Sequence, residues 1–123
     1  MDSYRRGTRF GIHADEDKLI EGGDVDTQLT WMDAKHDGIA FTPRYGKAVE
    51  INALWYSNLC CMGEYYRDKN PDSLNFYREI TEQVRLSFEK QFWNESRGYL
   101  NDCILPAGKA DESLRPNQIF AVS

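Results

Sequence analysis

The stretch Ala48–Tyr66, with the sequence AVEINALWYSNLCCMGEYY, decides the fold because its apolar residues recur at helical spacing. Steps of three and four residues place side chains on one face of an α-helix, where they form a single stripe. The stripe consists of Ile51, Leu54, Trp55, Leu59, Met62 and Tyr66. This part of the chain is therefore predicted to form an amphipathic helix.

A second helix is predicted directly after the first. Asn70 is a good N-cap residue, and Pro71 suits the first helical position because no backbone N–H needs a partner there. The apolar stripe of this helix consists of Leu74, Tyr77, Ile80, Val84, Phe88 and Phe92. Because the linker between the helices is short, we expect an antiparallel helical hairpin at about 48–93.

The segments on either side of the hairpin carry turn signals. The acidic residues between Ile12 and Leu19 predict a small β-hairpin closed by a turn. After the helices, Gly98 predicts a turn, residues 99–105 a short extended segment, and residues 107–113 a polar loop.

We divide the chain into a site loop at about 20–47, the helical hairpin, and a loop with a truncated helix at about 94–123. Pro116 suits the start of that last helix, which has little length before Ser123. We expect a sequence that stops in this way to be part of a larger helical domain.

Composition excludes several classes of protein. The 123 residues are 41% hydrophobic and 28% charged, which excludes a disordered or collagen-like chain. The net charge of −5 disfavours nucleic-acid binding. The sequence has neither an apolar run long enough for a membrane span nor the apolar segment of a signal peptide. We therefore expect a cytoplasmic protein that binds neither nucleic acid nor membrane.

The cysteines and histidines do not suggest a metal site. Cys60, Cys61 and Cys103 have no C-x-x-C spacing, and His13 and His36 lie far apart in the sequence. We expect no metal and no organic cofactor, and we interpret the three cysteines as small buried thiols in a reducing compartment.

The chemistry-bearing residues concentrate in residues 28–35 and 42–56, which hold two tryptophans, an isolated aspartate and several cations. Aromatic faces can cover the C–H surface of a sugar, and charged groups can hydrogen-bond its hydroxyls. This composition is typical of a carbohydrate site, but other interpretations stay open. Trp55 lies on the helix stripe and suits a core position, and Arg44 and Lys47 are equally interpretable as solvated loop charges.

Two blocks of sequence closely resemble the amylo-alpha-1,6-glucosidase domain of glycogen debranching enzymes. The first block comprises TWMDAK at 30–35, TPR at 42–44, GK at 46–47 and VEINALWY at 49–56. The second comprises GYL at 98–100, Asp111, Ser113 and LRPNQIFA at 114–121. The blocks come in the order of the family and together cover most of residues 10–123.

The resemblance implies a mainly α fold, namely a fragment of an (α/α)6 toroid with short extended segments in its loops. Twelve helices of about twelve residues, joined by connections of about five, already exceed roughly 200 residues. We therefore expect the chain to hold about a quarter to a third of the toroid.

The resemblance also implies an activity, the inverting hydrolysis of the α-1,6-linked glucose that remains at a trimmed branch point of glycogen. No metal or organic cofactor is implied. The expected partner is glycogen or a branched malto-oligosaccharide.

Asp33 stands where the family places its general acid. An aspartate beside a turn is also a good cap, so a capping role is the alternative. A general acid benefits from a raised pKa, whereas the nearby Lys35 and Arg44 would lower it unless burial beside Trp31 outweighs them.

The remaining site residues follow from the matching motifs. The predicted substrate-binding residues are Trp31, Lys35, Arg44, Lys47, Glu50, Asn52, Trp55, Asp111, Arg115, Asn117 and Gln118. Of the carboxylates in or near these motifs, Glu50 and Asp111 are interpreted as substrate contacts or scaffolding. Arg115 is either a donor in the site wall or a brace for its loop.

The general base is the missing element. In the family it comes from a glutamate downstream of the RPNQ motif, which places it beyond Ser123. We therefore expect the isolated chain to be inactive. The alternative is a non-catalytic remnant that self-associates through its open helical faces and binds glucan weakly or not at all.

Overall fold

The computed structural model describes residues 2–32 and 34–123, which form two long helices, one short helix and several small antiparallel sheets. The helices are α1 (Asp2–Arg6), α2 (Val49–Tyr66) and α3 (Pro71–Phe92). The strands are β1 (His13–Ala14), β2 (Ile20–Glu21), β3 (Lys35–His36), β4 (Ile39–Ala40), β5 (Lys47–Ala48), β6 (Trp93–Asn94), β7 (Tyr99–Leu100), β8 (Cys103–Leu105) and β9 (Lys109–Asp111). Short 3₁₀ helices cover Arg9–Gly11, Pro106–Gly108 and Pro116–Ala121.

The predicted helical hairpin is confirmed. Asn70 caps α3, since its side chain accepts a hydrogen bond of 3.0 Å from the backbone N–H of Ser73, and Pro71 opens the helix. Tyr66 at the end of α2 stacks on Tyr77 near the start of α3, with ring centroids 5.6 Å apart. Because the C-terminal end of α2 contacts the N-terminal part of α3 and only four residues join the helices, the two helices run antiparallel.

The two apolar stripes form most of the core. Val84 and Phe92 of α3 are completely buried, and Trp55 and Leu59 of α2 lie against the same cluster. The prediction for Leu54 is wrong, because this side chain lies outside the packed face and is 51% exposed. Leu54 is adjacent to Trp55 at a helical step of about 100°, so only one of the two can point into the core.

The mainly α fold class is confirmed in part, because the chain combines its helices with several small antiparallel sheets. β1 and β2 form the predicted hairpin, and β3 pairs with β4 inside the predicted site loop. β8 lies between β5 and β9 in a three-stranded sheet, and β6 pairs with β7. The extended segment predicted at residues 99–105 is confirmed, whereas the polar loop predicted at 107–113 contains strand β9.

The three-stranded sheet brings distant segments to the start of α2. Ala48 of β5 pairs with Cys103 of β8, and the backbone N–H of Val49 donates to the carbonyl of Asp102 over 3.0 Å. A second link joins Gly22 to Gly46, whose backbone groups exchange hydrogen bonds of 2.9 and 3.1 Å. The residues around position 102 are therefore held beside the first turn of α2.

Two of the three cysteine predictions are wrong. Cys60 and Cys61 are exposed on α2, and Cys103 alone among the three is buried. Burial raises the pKa of the Cys103 thiol to about 12, and its Sγ donates to the carbonyl of Tyr45 over 3.2 Å. Within residues 2–32 and 34–123, no helix has the length and apolar character needed to cross a membrane.

Candidate functional site

Arg44 is the centre of a buried network of ion pairs at the start of α2. Its Nη1 and Nη2 each donate to one carboxylate oxygen of Glu50 over 2.5 Å, and its Nε donates to Oδ2 of Asp102 over 2.7 Å. The side chain of Arg44 is completely buried, and those of its partners are 3% exposed or less. A two-pronged guanidinium–carboxylate pair of this kind fixes the orientation of both groups.

Asp102 extends the network to the C-terminal motif. Nη1 of Arg115 donates to Oδ2 of Asp102 over 2.6 Å and to Oδ2 of Asp111 over 2.7 Å. Nδ2 of Asn117 donates to Oδ1 of Asp102 over 2.6 Å. Asp102 therefore holds two arginines and one amide in place, and the two sequence blocks of the predicted site meet at its carboxylate.

Asn117 connects this network to the loop that precedes the predicted general acid. Its Nδ2 also lies 3.3 Å from Sδ of Met32, while its buried Oδ1 has no hydrogen-bond partner in the part of the chain that the structure describes. The amide is oriented by Asp102, because a flip would turn Oδ1 toward the carboxylate. Asp33 itself lies outside the described residues.

The charges of the network support one another. Burial lowers the pKa of Arg44, but its hydrogen bonds and charge interactions with Glu50 and Asp102 outweigh this effect and raise it. Burial likewise acts to lower the pKa of Arg115, but its hydrogen bonds to Asp111 and Asp102 outweigh this effect, so the pKa is raised. The pKa of Asp111 is lowered, because the bonds from Arg115 and Ser113 exceed the opposite effect of burial. These shifts favour the charged forms of Arg44, Arg115 and Asp111.

Two predicted substrate-binding residues lie apart from this network and already have partners within the chain. Nζ of Lys47 is 2.8 Å from Asp15 and 2.5 Å from Asp17, so this buried lysine ties the turn of the first hairpin to β5. Asn52 is completely buried, and its side chain exchanges hydrogen bonds of 2.6 and 3.0 Å with the backbone of Ile20.

The two tryptophans of the predicted site differ in exposure. Trp31 is 63% exposed, whereas Trp55 is 8% exposed and donates from Nε1 to the carbonyl of Lys18 over 3.0 Å. Lys35 is exposed on β3, and Gln118 accepts from the backbone N–H of Leu100 over 3.4 Å. A broad aromatic face is therefore available at Trp31 and not at Trp55.

A model of the amylo-alpha-1,6-glucosidase family matches residues 1–123, the whole length of the chain. The chain belongs to this family. No curated protein and no solved structure matches it. Membership in the amylo-alpha-1,6-glucosidase family confirms the resemblance expected from the two sequence blocks.

Asp102 is the residue of the network that sequence reasoning left without a role. The carboxylate lies two residues after the GYL segment at 98–100, inside the second family block. Its partners, Arg44 and Arg115, come 58 residues before it and 13 residues after it, so no local pattern connects the three. The sequence offered one signal for Asp102: Arg44 and Arg115 both lie in matching motifs, and neither had been assigned a carboxylate partner.

The lowered pKa of Asp111 predicts acid-dependent stability. Because the pKa of Asp111 in the folded state lies below the ordinary value of 3.8, the ionised carboxylate stabilises the fold at pH values above 3.8. This stability is lost as the pH falls through the folded-state pKa. Asp111→Asn should therefore lower the free energy of unfolding at neutral pH by about 1 kcal/mol, and by less at acid pH. Urea titrations at several pH values between 2 and 7 would measure this. Asp68→Asn, an exposed change on the linker, is the control, and parallel losses in both variants would contradict the prediction.

Proposed function

We propose that this chain is a segment of a debranching glucosidase that hydrolyses the α-1,6-linked glucose at glycogen branch points with inversion. In this proposal Asp33 is the general acid, Trp31 covers the C–H face of a glucose ring, and the segment forms part of an (α/α)6 toroid. Inversion requires a second carboxyl group at about 6.5–9.5 Å from the acid to activate water on the opposite face of the sugar.

The observation that carries the proposal is the convergence of the two sequence blocks on one buried network. Arg44 and Glu50 from the first block meet Asp111, Arg115 and Asn117 from the second through the carboxylate of Asp102. Asn117 then contacts Met32, the residue before Asp33. This arrangement supports a scaffolding role for the network, in which it positions the loop that carries the acid and the tryptophan.

The same geometry argues against a general base among these carboxylates. Glu50 accepts from two nitrogens of Arg44, and Asp102 accepts from Arg44, Arg115 and Asn117. Asp111 accepts from Arg115 and Ser113. The oxygens of these carboxylates already accept hydrogen bonds from neighbouring side chains. We therefore propose that the base comes from another segment and that the 123-residue chain releases no glucose by itself.

A ligand-observed NMR titration with a singly branched malto-oligosaccharide tests the proposal. Saturable binding should be lost in Trp31→Ala, because the exposed indole is the proposed sugar platform, and it should persist in Trp93→Ala, which removes another exposed indole. Loss of binding in both variants, or no binding by the unmodified chain at millimolar sugar, would contradict the proposal.

Glucose release is measured on the same samples. The unmodified chain and Asp33→Asn should both release no glucose. Release that disappears in Asp33→Asn would contradict the assignment of the base to another segment, while supporting Asp33 as the acid.

An alternative is a non-catalytic chain that pairs with a second copy. It is favoured by a groove of about 640 Å³ between the two long helices and the C-terminal residues, which is lined by exposed apolar side chains, among them Leu54, Trp93, Phe120 and Val122. Light scattering distinguishes the two, because a monomer that binds the branched sugar supports the enzyme segment and a stable dimer without sugar binding supports the alternative.

A further inference from the structure

Six side chains along one side of α3 form a row whose charges are self-complementary. They follow one another at steps of four, four, three, four and four residues, so they share one side of the helix. This outer row consists of Leu74, Arg78, Glu82, Arg85, Glu89 and Trp93, of which the last directly follows α3. When the row is reversed, every basic position meets an acidic one, and an apolar residue stands at each end.

The outer row borders the apolar groove along the helical hairpin. Its last three members line the groove of about 640 Å³ described above, and its first three line a second hollow of about 260 Å³ between the same two helices. Cys60 of α2 lines both, so the two hollows meet there. The side chains of Glu82 and Glu89 are more than half exposed, and Trp93 is 48% exposed. The row is therefore accessible to another molecule.

The charges of the outer row are unevenly satisfied within the chain. Arg85 contacts Glu82 over 2.7 Å and Glu89 over 2.6 Å, so one cation serves two carboxylates. Arg78 forms no ion pair in the part of the chain that the structure describes. An unpaired positive charge therefore lies near the start of the row, and an excess negative charge lies farther along it.

We propose that the outer row is the contact between two copies of this chain, which pair about a two-fold axis with their α3 helices antiparallel. When the axis crosses the middle of the row, the charged members face opposite charges of the second copy, Arg78 against Glu89 and Glu82 against Arg85. Each of these contacts occurs twice, as in any isologous pair. A parallel arrangement in register would place each charge against its like, so the same row disfavours it.

Apolar contacts supply the affinity of this pairing, because exposed ion pairs contribute little by themselves. At each end of the contact, Leu74 of one copy meets Trp93 of the other. The neighbouring Phe120 and Val122 are 46% and 75% exposed and line the same groove. Adjoining exposed apolar side chains of this kind are typical of an association site. The apolar ends therefore hold the copies together, and the charges set the direction and register of the helices.

Two charge reversals test the register. Sedimentation equilibrium of the unmodified chain should show a dimer, and Arg78→Glu and Glu89→Arg should each raise its Kd about tenfold, since each creates two like-charge contacts. An equimolar mixture of the two variants should associate as tightly as the unmodified chain, because every mixed pair regains opposite charges at both contacts. Lys90→Glu is the matched control. It reverses a charge about 100° farther round the helix and should leave Kd unchanged.

This inference rests on the second-copy alternative, to which it gives a defined geometry, and it does not depend on sugar binding. A chain that stays monomeric at the highest concentration used for the sugar titration would overturn both the inference and that alternative, and the glucosidase proposal would stand. A dimer that the two reversals leave unchanged, or that mixing the variants does not restore, would overturn the two-fold register alone. Circular dichroism of each variant would verify that the helices are intact.

Discussion

Arg44→Met is expected to lower the free energy of unfolding by about 3–5 kcal/mol, because it leaves the buried carboxylate of Glu50 without its cation and removes one of the two arginines that pair with Asp102. Arg44 makes hydrogen bonds of 2.5–2.7 Å to Glu50 and Asp102, and all three side chains are almost completely buried. Since the whole domain is expected to be stable by only about 5–15 kcal/mol, the change removes a large part of its stability. Urea unfolding followed by tryptophan fluorescence and circular dichroism would measure the loss.

Two further variants show whether the loss comes from the buried charges. Arg85→Met removes an arginine that bridges Glu82 and Glu89 on the exposed face of α3, so it should change stability little. Glu50→Gln added to Arg44→Met removes the carboxylate charge that is left without a cation and should recover part of the stability. A small loss in Arg44→Met, or no recovery in the double variant, would show that the network stabilises the fold less than its burial indicates.

The helical part of the fold was predictable because its signals are local. Apolar residues at steps of three and four residues locate both helices, and the Asn70–Pro71 pair marks the start of α3. The errors within the helices are also local. Leu54, Cys60 and Cys61 are apolar or small residues beside the buried stripe, and composition alone does not tell which side of the stripe meets the core.

The small sheets were harder to predict because strands of two or three residues carry no readable alternation. β5 and β8 pair although they lie more than 50 residues apart in the sequence, with the helical hairpin between them in chain order. β9 consists of Lys109–Asp111, whose charged and small residues resemble a loop, yet its backbone completes the sheet with β8. These backbone pairings make the chain a mixture of helix and strand.

The candidate site was predictable through its motifs but not through its contacts. Arg44, Glu50, Asp111, Arg115 and Asn117 were assigned together from the two sequence blocks, and the structure brings them into one network. Their connection through Asp102 depends on tertiary pairing. The same holds for Lys47 and Asn52, whose side chains are engaged by the first hairpin.

Gly46→Ala should destabilise the chain by about 3 kcal/mol or more, because the position requires a glycine for two separate reasons. Its φ is +93°, a conformation that is strained for any residue with a Cβ. A Cβ at this position would also lie 2.4 Å from the carbonyl oxygen of Ile104 and 3.2 Å from Cα of Leu105, both of which are backbone atoms.

Relief of this clash would require a shift of β8 away from β5, together with the bridge between Gly46 and Gly22. Because Asp102 directly precedes β8 and Arg44 lies two residues before Gly46, the shift would also disturb the buried network. Gly98→Ala separates the two contributions, since Gly98 has a similar φ of +71° but no atom within 4 Å of an added Cβ. It should therefore cost only about 1–2 kcal/mol. Thermal and urea unfolding of both variants would measure the difference in stability. Equal losses of unfolding free energy would mean that the sheet adjusts to the added methyl group, so that the strained φ alone accounts for the effect.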